Sequence, residues 1–217
     1  MTEERGSRAK RAIASTYSFL ADRLYNPLIV HGGFRFLGGD LNELVVEQGR
    51  QAVESAAGRP ILDMPVGTAF FTTQLAARHD GLVAGIDIAE GMVREARRAA
   101  LEAGTANLVP VCADAHHLPF PDGAFGAVVC SNGLQVMPGL TPSVRELVRV
   151  LAPGGRLYVS VLLAPIGTIV PADRRSSLPT LLRPARDIAD ELGSAGIPFV
   201  QMRKSRLAAL MWGEKPA

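Results

Sequence analysis

"ILDMPVGTAFF", residues 61–71, is the stretch on which the reading of this chain turns. Ile61 and Leu62 are strand-type residues that run into Asp63, Pro65, Gly67 and Ala69 then stand at alternate positions, and helical character begins beyond them. A strand that stops on an acidic residue just before a glycine-containing turn and a helix marks a ligand loop at the carboxyl edge of an open α/β sheet. The segments around it fit such a sheet. Apolar runs of strand length, "PILDM", "LVAGIDI", "LVPVCA", "AVVCS" and "RLYVSVLL", alternate with stretches of helical period. That alternation predicts a parallel sheet with helices on both faces, and the unbroken apolar character of "LVAGI" and "GAVVC" suits strands buried on both sides.

Between the second and third strands, "EGMVREARRAALEAG" puts Met92, Val93, Ala96 and Ala100 on one helical stripe with arginines opposite, and stops at Gly104. A later helix is expected to open with Thr141 as its N-cap and Pro142 in its first turn. It carries Val144, Leu147, Val148 and Leu151 at core spacing and is expected to end at "PGG", residues 153–155. Upstream of the first strand, helical segments at roughly residues 7–25 and 40–57 flank the Gly-rich "NPLIVHGGFRFLGGD". Residues 1–57 are expected to form an N-terminal helical lid packed over the carboxyl edge or the side of the sheet. Residues 58–217 then form the α/β part of one domain. Toward the C-terminus, "RPARDIADELGSAG" reads as a helix and "IPFVQMRKSRLAALMWGEK" as two short strands that reverse at Lys204 and Ser205.

Composition sets the class. With 217 residues, 47% hydrophobic and 20% charged, the chain suffices for one globular domain with a sizeable core. Its 23 basic and 21 acidic residues are interspersed, so neither a nucleic-acid nor a membrane surface is expected. The N-terminus lacks the apolar core and cleavage site of a secretory leader, and the uncharged stretch from Leu157 to Ala172 is broken by Pro165, Gly167 and Pro171. A cytoplasmic protein is the expectation. Cys112 and Cys130 match no zinc or redox spacing and are read as core residues. No acidic cluster suggests a metal.

Two ligands compete for the 61–71 loop. A dinucleotide requires GxGxxG, so that the backbone approaches a pyrophosphate at a helix N-terminus. Pro65, Gly67 and Ala69 replace that pattern, and Asp63 repels a pyrophosphate while it welcomes an ammonium or a sulfonium. Tyr17, Tyr25 and Tyr158 also lack the lysine four residues on that a short-chain dehydrogenase requires. The charge decides against a pyrophosphate and leaves S-adenosylmethionine as the other candidate.

From Pro60 to about Leu163 the chain resembles the class I S-adenosylmethionine-dependent methyltransferases, in particular the small-molecule type related to the ubiquinone and menaquinone methyltransferases. "LDMPVGTA" stands where that family has an acidic-x-G-x-G-x-G loop, and "GIDIAEGMVREAR" stands at its second strand. "CADAHHLPFPDGAFGAVVCSNGLQVMPG" covers the third and fourth strands, and "LVRVLAPGGRLYVSV" the fifth. The resemblance implies a Rossmann-like, doubly wound seven-stranded sheet of order 3-2-1-4-5-7-6 with strand 7 antiparallel. Cys112 and Cys130 would then lie about three strand spacings of 4.8 Å apart, too far for a disulfide.

Site roles follow from the resemblance. Asp87, at the end of the second strand, takes the ribose hydroxyls or merely caps the next helix. Asp63 holds the methionine portion, and Gly67 admits the cofactor close to the backbone. Pro65 and Ala69 depart from the family's glycines. Asp114 and Ala115 meet the adenine, while Ile88 and Met92 pack on ribose and adenine, Met92 with a core role as the alternative. Ser131 and Asn132 lie near the methyl group. His116, His117 and Tyr17 are the candidate catalytic groups; a histidine near its ordinary pKa removes a hydroxyl proton, and a solvated or structural role is the alternative for each. His31 lies in the lid segment, Tyr25 joins Tyr17 as an aromatic lid residue, and Gln135 stands where many relatives carry histidine. "SNGL" lacks the Asn/Asp-Pro-Pro-aromatic run of nucleic-acid amine methyltransferases. The expected activity is methyl transfer from S-adenosylmethionine to an O, N or C atom of a small apolar molecule. The altered glycine loop keeps open a non-methylating cyclase or a noncatalytic binding subunit on the same fold; oligomeric state stays open.

Overall fold

The apolar runs assemble into one seven-stranded sheet in the computed structural model, which describes residues 39–163, 183–205 and 208–217. Its described elements are α1 (Gly39–Ala56), β1 (Ile61–Asp63), α2 (Thr72–Ala76), β2 (Val83–Asp87), α3 (Glu90–Ala103), β3 (Leu108–Cys112), β4 (Phe125–Ser131), α4 (Leu140–Val150), β5 (Leu151–Leu162), α5 (Ala185–Ser194), β6 (Gln201–Lys204) and β7 (Ala208–Glu214). The strand order is β3-β2-β1-β4-β5-β7-β6. Strands β1 to β5 pair in parallel, and β7 runs antiparallel to both β5 and β6. The expected topology is therefore present. Chain order reverses between β1 and β4, which opens a crevice beyond their carboxyl ends.

Helices cover both faces. On one, Leu62, Ile86, Val128 and Val159 meet Val144 and Leu147 of α4 and Ile188 and Leu192 of α5. On the other, Ile61, Val83, Val129 and Tyr158 meet Ala52 and Ala56 of α1 and Ala96 and Ala100 of α3. Fully burying each large apolar side chain contributes about 1.5–3 kcal/mol, so the central strands, apolar on both sides, anchor the fold. Met92, Val93, Ala96 and Ala100 form the buried stripe of α3, and Gly104 closes that helix in the left-handed region at φ 66°. No helix among the described residues is long and apolar enough to cross a membrane.

α1, within the segment expected as a lid, packs on a face of the sheet. Tyr158, buried on β5, donates its hydroxyl to the Gln51 carbonyl at 3.1 Å and accepts at its own carbonyl from Gln48 Nε2 at 3.2 Å, so α1 is bonded to the sheet. Residues 1–38, with Tyr17, Tyr25 and His31, and the Pro-rich residues 164–182 lie outside the described residues.

Three local expectations are corrected. The N-cap of α4 is Gly139 in the left-handed region at φ 73°, not Thr141, so the helix begins before that threonine; Pro142 still falls in the first turn, where its missing N–H is harmless. α4 ends at Val150, and Pro153 to Gly155 sit within β5, where the register to β4 shifts between Phe125 and Ala127. Cys130 is buried, but Cys112 is exposed because β3 is an edge strand. Both thiols are free, and two strands separate theirs.

Beyond β3, Arg149 of α4 bonds to Glu146 and Asp122 and donates to the carbonyls of Leu118 and Phe120 at 3.1 and 2.8 Å. Glu146 in turn accepts the Leu118 N–H at 2.7 Å. Residues 118–122 are thereby fastened to the C-terminal half of α4.

Candidate active site

Asp63 ends β1 in the centre of the sheet, flanked in register by Gly85 and Val129. It is 6% exposed. One carboxyl oxygen accepts from the Thr72 hydroxyl; the other, Oδ1, is buried with no hydrogen-bond partner among the described residues. Burial pushes this carboxyl up to about 7, against the Thr72 bond and with a further push from the charge of Asp87. A buried carboxylate with an unpartnered oxygen is a receptor for a cation.

The loop after β1 is shaped by its short residues. The Met64–Pro65 peptide is cis, and Gly67 and Ala69 hold φ values of 53° and 60°. Val66 N–H donates to the Ile86 carbonyl at 2.8 Å and Gly67 N–H to Asp87 Oδ2 at 3.1 Å, which ties the loop to β2. A side chain at Gly67 would enter open space, the room a ligand needs to reach the backbone. Pro65 fills the space over Gly133, where an added Cβ would lie 2.3 Å from its Cδ. Ala69 is fully buried and tolerates its left-handed backbone beneath the loop.

Asp87 does not cap α3, whose N-cap is Ala89 with no side-chain cap bond; its Oδ1 accepts the Ala89 N–H at 2.9 Å in a local turn that leads into the helix. Burial raises its pKa, opposed by bonds from the N–H groups of Ala89, Gly67 and Ile88. With three N–H donors on about four acceptor sites, the carboxylate keeps room for a further donor.

These groups meet in a largely apolar crevice of about 200 Å³. Asp63, Pro65, Gly67, Asp87, Ile88, Met92, Asp114, Ala115 and Ser131 all line it; Ala69, expected with them, is fully buried and does not. Of the three candidate catalytic groups, His116 lines the crevice, His117 is exposed outside that lining, and Tyr17 is beyond the described residues. Asn132, at φ 56°, lines it too, with its Oδ1 buried and unpartnered among the described residues. Gln135 is buried and accepts the Leu162 N–H at 2.9 Å, which occupies its carbonyl oxygen in holding β5.

Sequence reasoning missed three features. Thr72, the partner of Asp63, comes from the first turn of α2, and a hydroxyl residue opening the helix after an acidic strand end was the available signal. Phe70 and Phe71, stacked edge to face at 4.9 Å, join Val136, Met137 and Pro138 in an apolar wall; two adjacent aromatics in a ligand loop were a sign of it. The seating of Pro65 on Gly133 joins residues distant in sequence and had no local signal.

Residues 61–155 match the family described as methyltransferase domain. A demethylmenaquinone methyltransferase of Thermus thermophilus is 44% identical over 114 residues, 51% of this chain and 51% of that protein. The chain spans about half the length of the curated relatives it matches. A solved structure of a SAM-dependent methyltransferase from Aquifex aeolicus superposes with a TM-score of 0.67 at 18% identity, covering 90% of this chain and 97% of that one. The cyclase SpnF superposes with a TM-score of 0.66 at 23% identity over 79% and 82% of the two chains. At these identities the superpositions establish the fold.

Proposed function

Since residues 61–155 are a class I S-adenosylmethionine-dependent methyltransferase domain related to the menaquinone methyltransferases, we propose that this chain transfers a methyl group from S-adenosylmethionine to an O, N or C atom of a small apolar molecule. The observation that carries the reading is the pair of buried carboxylates, Asp63 with an unpartnered oxygen and Asp87 on the neighbouring strand, at one end of an apolar crevice. The residues present fit the cofactor. Asp63 Oδ1 suits its ammonium, Asp87 its ribose hydroxyls, and the open space at Gly67 its approach to the backbone. Asp114 and Ala115, with Ile88 and Met92, form the walls for adenine and ribose.

The cofactor, when bound, supplies an electrophilic methyl group on a sulfonium. This chain's residues hold the two reactants in line and exclude water, which is where most of the rate of such a displacement arises. Ser131 closes β4 and Asn132 follows it, both in the crevice lining; in this reading they lie near the methyl group. Phe70, Phe71, Val136, Met137 and Pro138 offer an apolar wall to the acceptor, the feature that favours an apolar small molecule over a nucleic acid.

The test is turnover with a panel of apolar phenols, quinols and amines, read by mass spectrometry. A gain of one methyl group by an acceptor together with release of S-adenosylhomocysteine supports methyl transfer. An isomer of unchanged mass would instead assign the fold to cyclisation, and no turnover with any acceptor to a binding role.

A further inference from the structure

Two loops face each other across the mouth of the crevice. One, residues 113–117, hangs from β2 through the Ala113 N–H bond to the Asp87 carbonyl at 3.0 Å. Asp114 shapes it, its Oδ1 accepting the His116 N–H at 3.0 Å and its carbonyl the His117 N–H at 2.9 Å. The other, residues 132–139, leaves β4, is fixed by the Asn132 N–H bond to the Ser160 carbonyl at 2.9 Å, and leads into α4.

His116 spans them. Its Nε2 lies 2.8 Å from the Pro138 carbonyl oxygen. A carbonyl only accepts, so Nε2 carries the hydrogen and the bond fixes both the ring's tautomer and its orientation. The ring also lies flush on Gly139, where an added Cβ would stand 2.7 Å from Cε1, and the φ of 73° there independently favours glycine. Deeper in the fold, Glu146 and Arg149 fasten residues 118–122 to α4 without any help from His116. His116 is therefore no part of that anchor, and it lines the crevice together with Asp114, Ala115, Met137 and Pro138.

We propose that His116 is a positioning residue: it clamps the 113–117 loop to Pro138 and Gly139 and so sets the width of the slot that receives the nucleoside. The inference rests on the nucleoside-binding reading above and gives the histidine a mechanical task in place of proton removal. Because the clamp is a donated hydrogen bond, an amide that presents an N–H at the position of Nε2 can replace it, whereas a ring of similar volume with no donor cannot.

Isothermal titration of the full chain with adenosine and with S-adenosylhomocysteine tests this on wild type and on His116→Gln, His116→Ala and His116→Phe, with thermal melting of each unliganded protein alongside. Loss of the clamp should weaken both ligands about three- to tenfold in the Ala and Phe variants, as for one hydrogen bond, with melting temperatures close to wild type. The Gln variant should bind both within about twofold of wild type, since its amide restores the donor. Unchanged adenosine binding in the Ala and Phe variants, or a Gln variant as weak as Ala, would overturn the clamp while the nucleoside site stands. A wild-type protein that binds neither ligand would overturn the nucleoside reading, and the clamp with it.

Discussion

Replacing Asp63 by asparagine should move stability and ligand binding in opposite directions. Burial raises the Asp63 carboxyl to about 7, about three pH units above the usual aspartate value near 4. The folded state therefore holds this proton more tightly than the unfolded chain does. The associated stability is complete below about pH 4, is lost as pH rises to about 7, and stays lost above it. Three pH units correspond to ~4 kcal/mol. Asparagine is close in shape, cannot ionise, and keeps a carbonyl oxygen to accept from Thr72. The Asp63→Asn variant should thus match wild type at pH 4 and exceed its stability at pH 8 by up to ~4 kcal/mol in urea denaturation. Carboxylates elsewhere titrate in both proteins, so the difference between the two isolates Asp63. The same substitution should weaken S-adenosylhomocysteine at least about tenfold, because the ammonium loses its charged partner. A variant no more stable than wild type at pH 8, or a stability gap that fails to widen from pH 4 to pH 8, would refute the reasoning.

Gly133→Ala sets a Cβ 2.3 Å from Pro65 Cδ and 3.0 Å from Cys130 Sγ; such overpacking should cost about 1–3 kcal/mol in chemical denaturation. Gly67→Ala places a methyl group in open space at φ 53°, so unfolding should register only the left-handed backbone penalty of about 1–2 kcal/mol, while calorimetry should show a larger loss of S-adenosylhomocysteine affinity. Tyr158→Phe removes the hydroxyl bonded to the Gln51 carbonyl and should cost about 1 kcal/mol in urea melts, a measure of how firmly α1 is held to the sheet.

What the sequence made legible was local. Unbroken apolar runs and the Met92, Val93, Ala96, Ala100 stripe located β1 to β5 and α3, because burial on two faces and on one stripe leaves periodic marks. The motifs at Asp63, Asp87 and Asp114 located three corners of the crevice, because ligand loops at strand ends recur with fixed chemistry. The start of α4 was misread: Thr141 is a good N-cap by type, but Gly139 takes the left-handed backbone there against the His116 ring, beside a His116–Pro138 bond between residues 22 apart. Cys112, taken as core from its type, lies on β3, which the order implied by the resemblance already puts at the edge of the sheet. The Pro65–Gly133 contact and the His116–Pro138 bond are tertiary, and no spacing rule reports them.

Equilibrium binding of S-adenosylhomocysteine and NADH to wild type and to Asp87→Ala, with folding of the variant verified by circular dichroism, tests the central claim most directly. The account predicts that wild type binds the first ligand and not the second, and that the variant loses at least about tenfold in affinity as the ribose hydroxyls lose a charged acceptor. Binding of NADH in place of the adenosyl compound, or an Asp87→Ala protein with undiminished affinity, would contradict it.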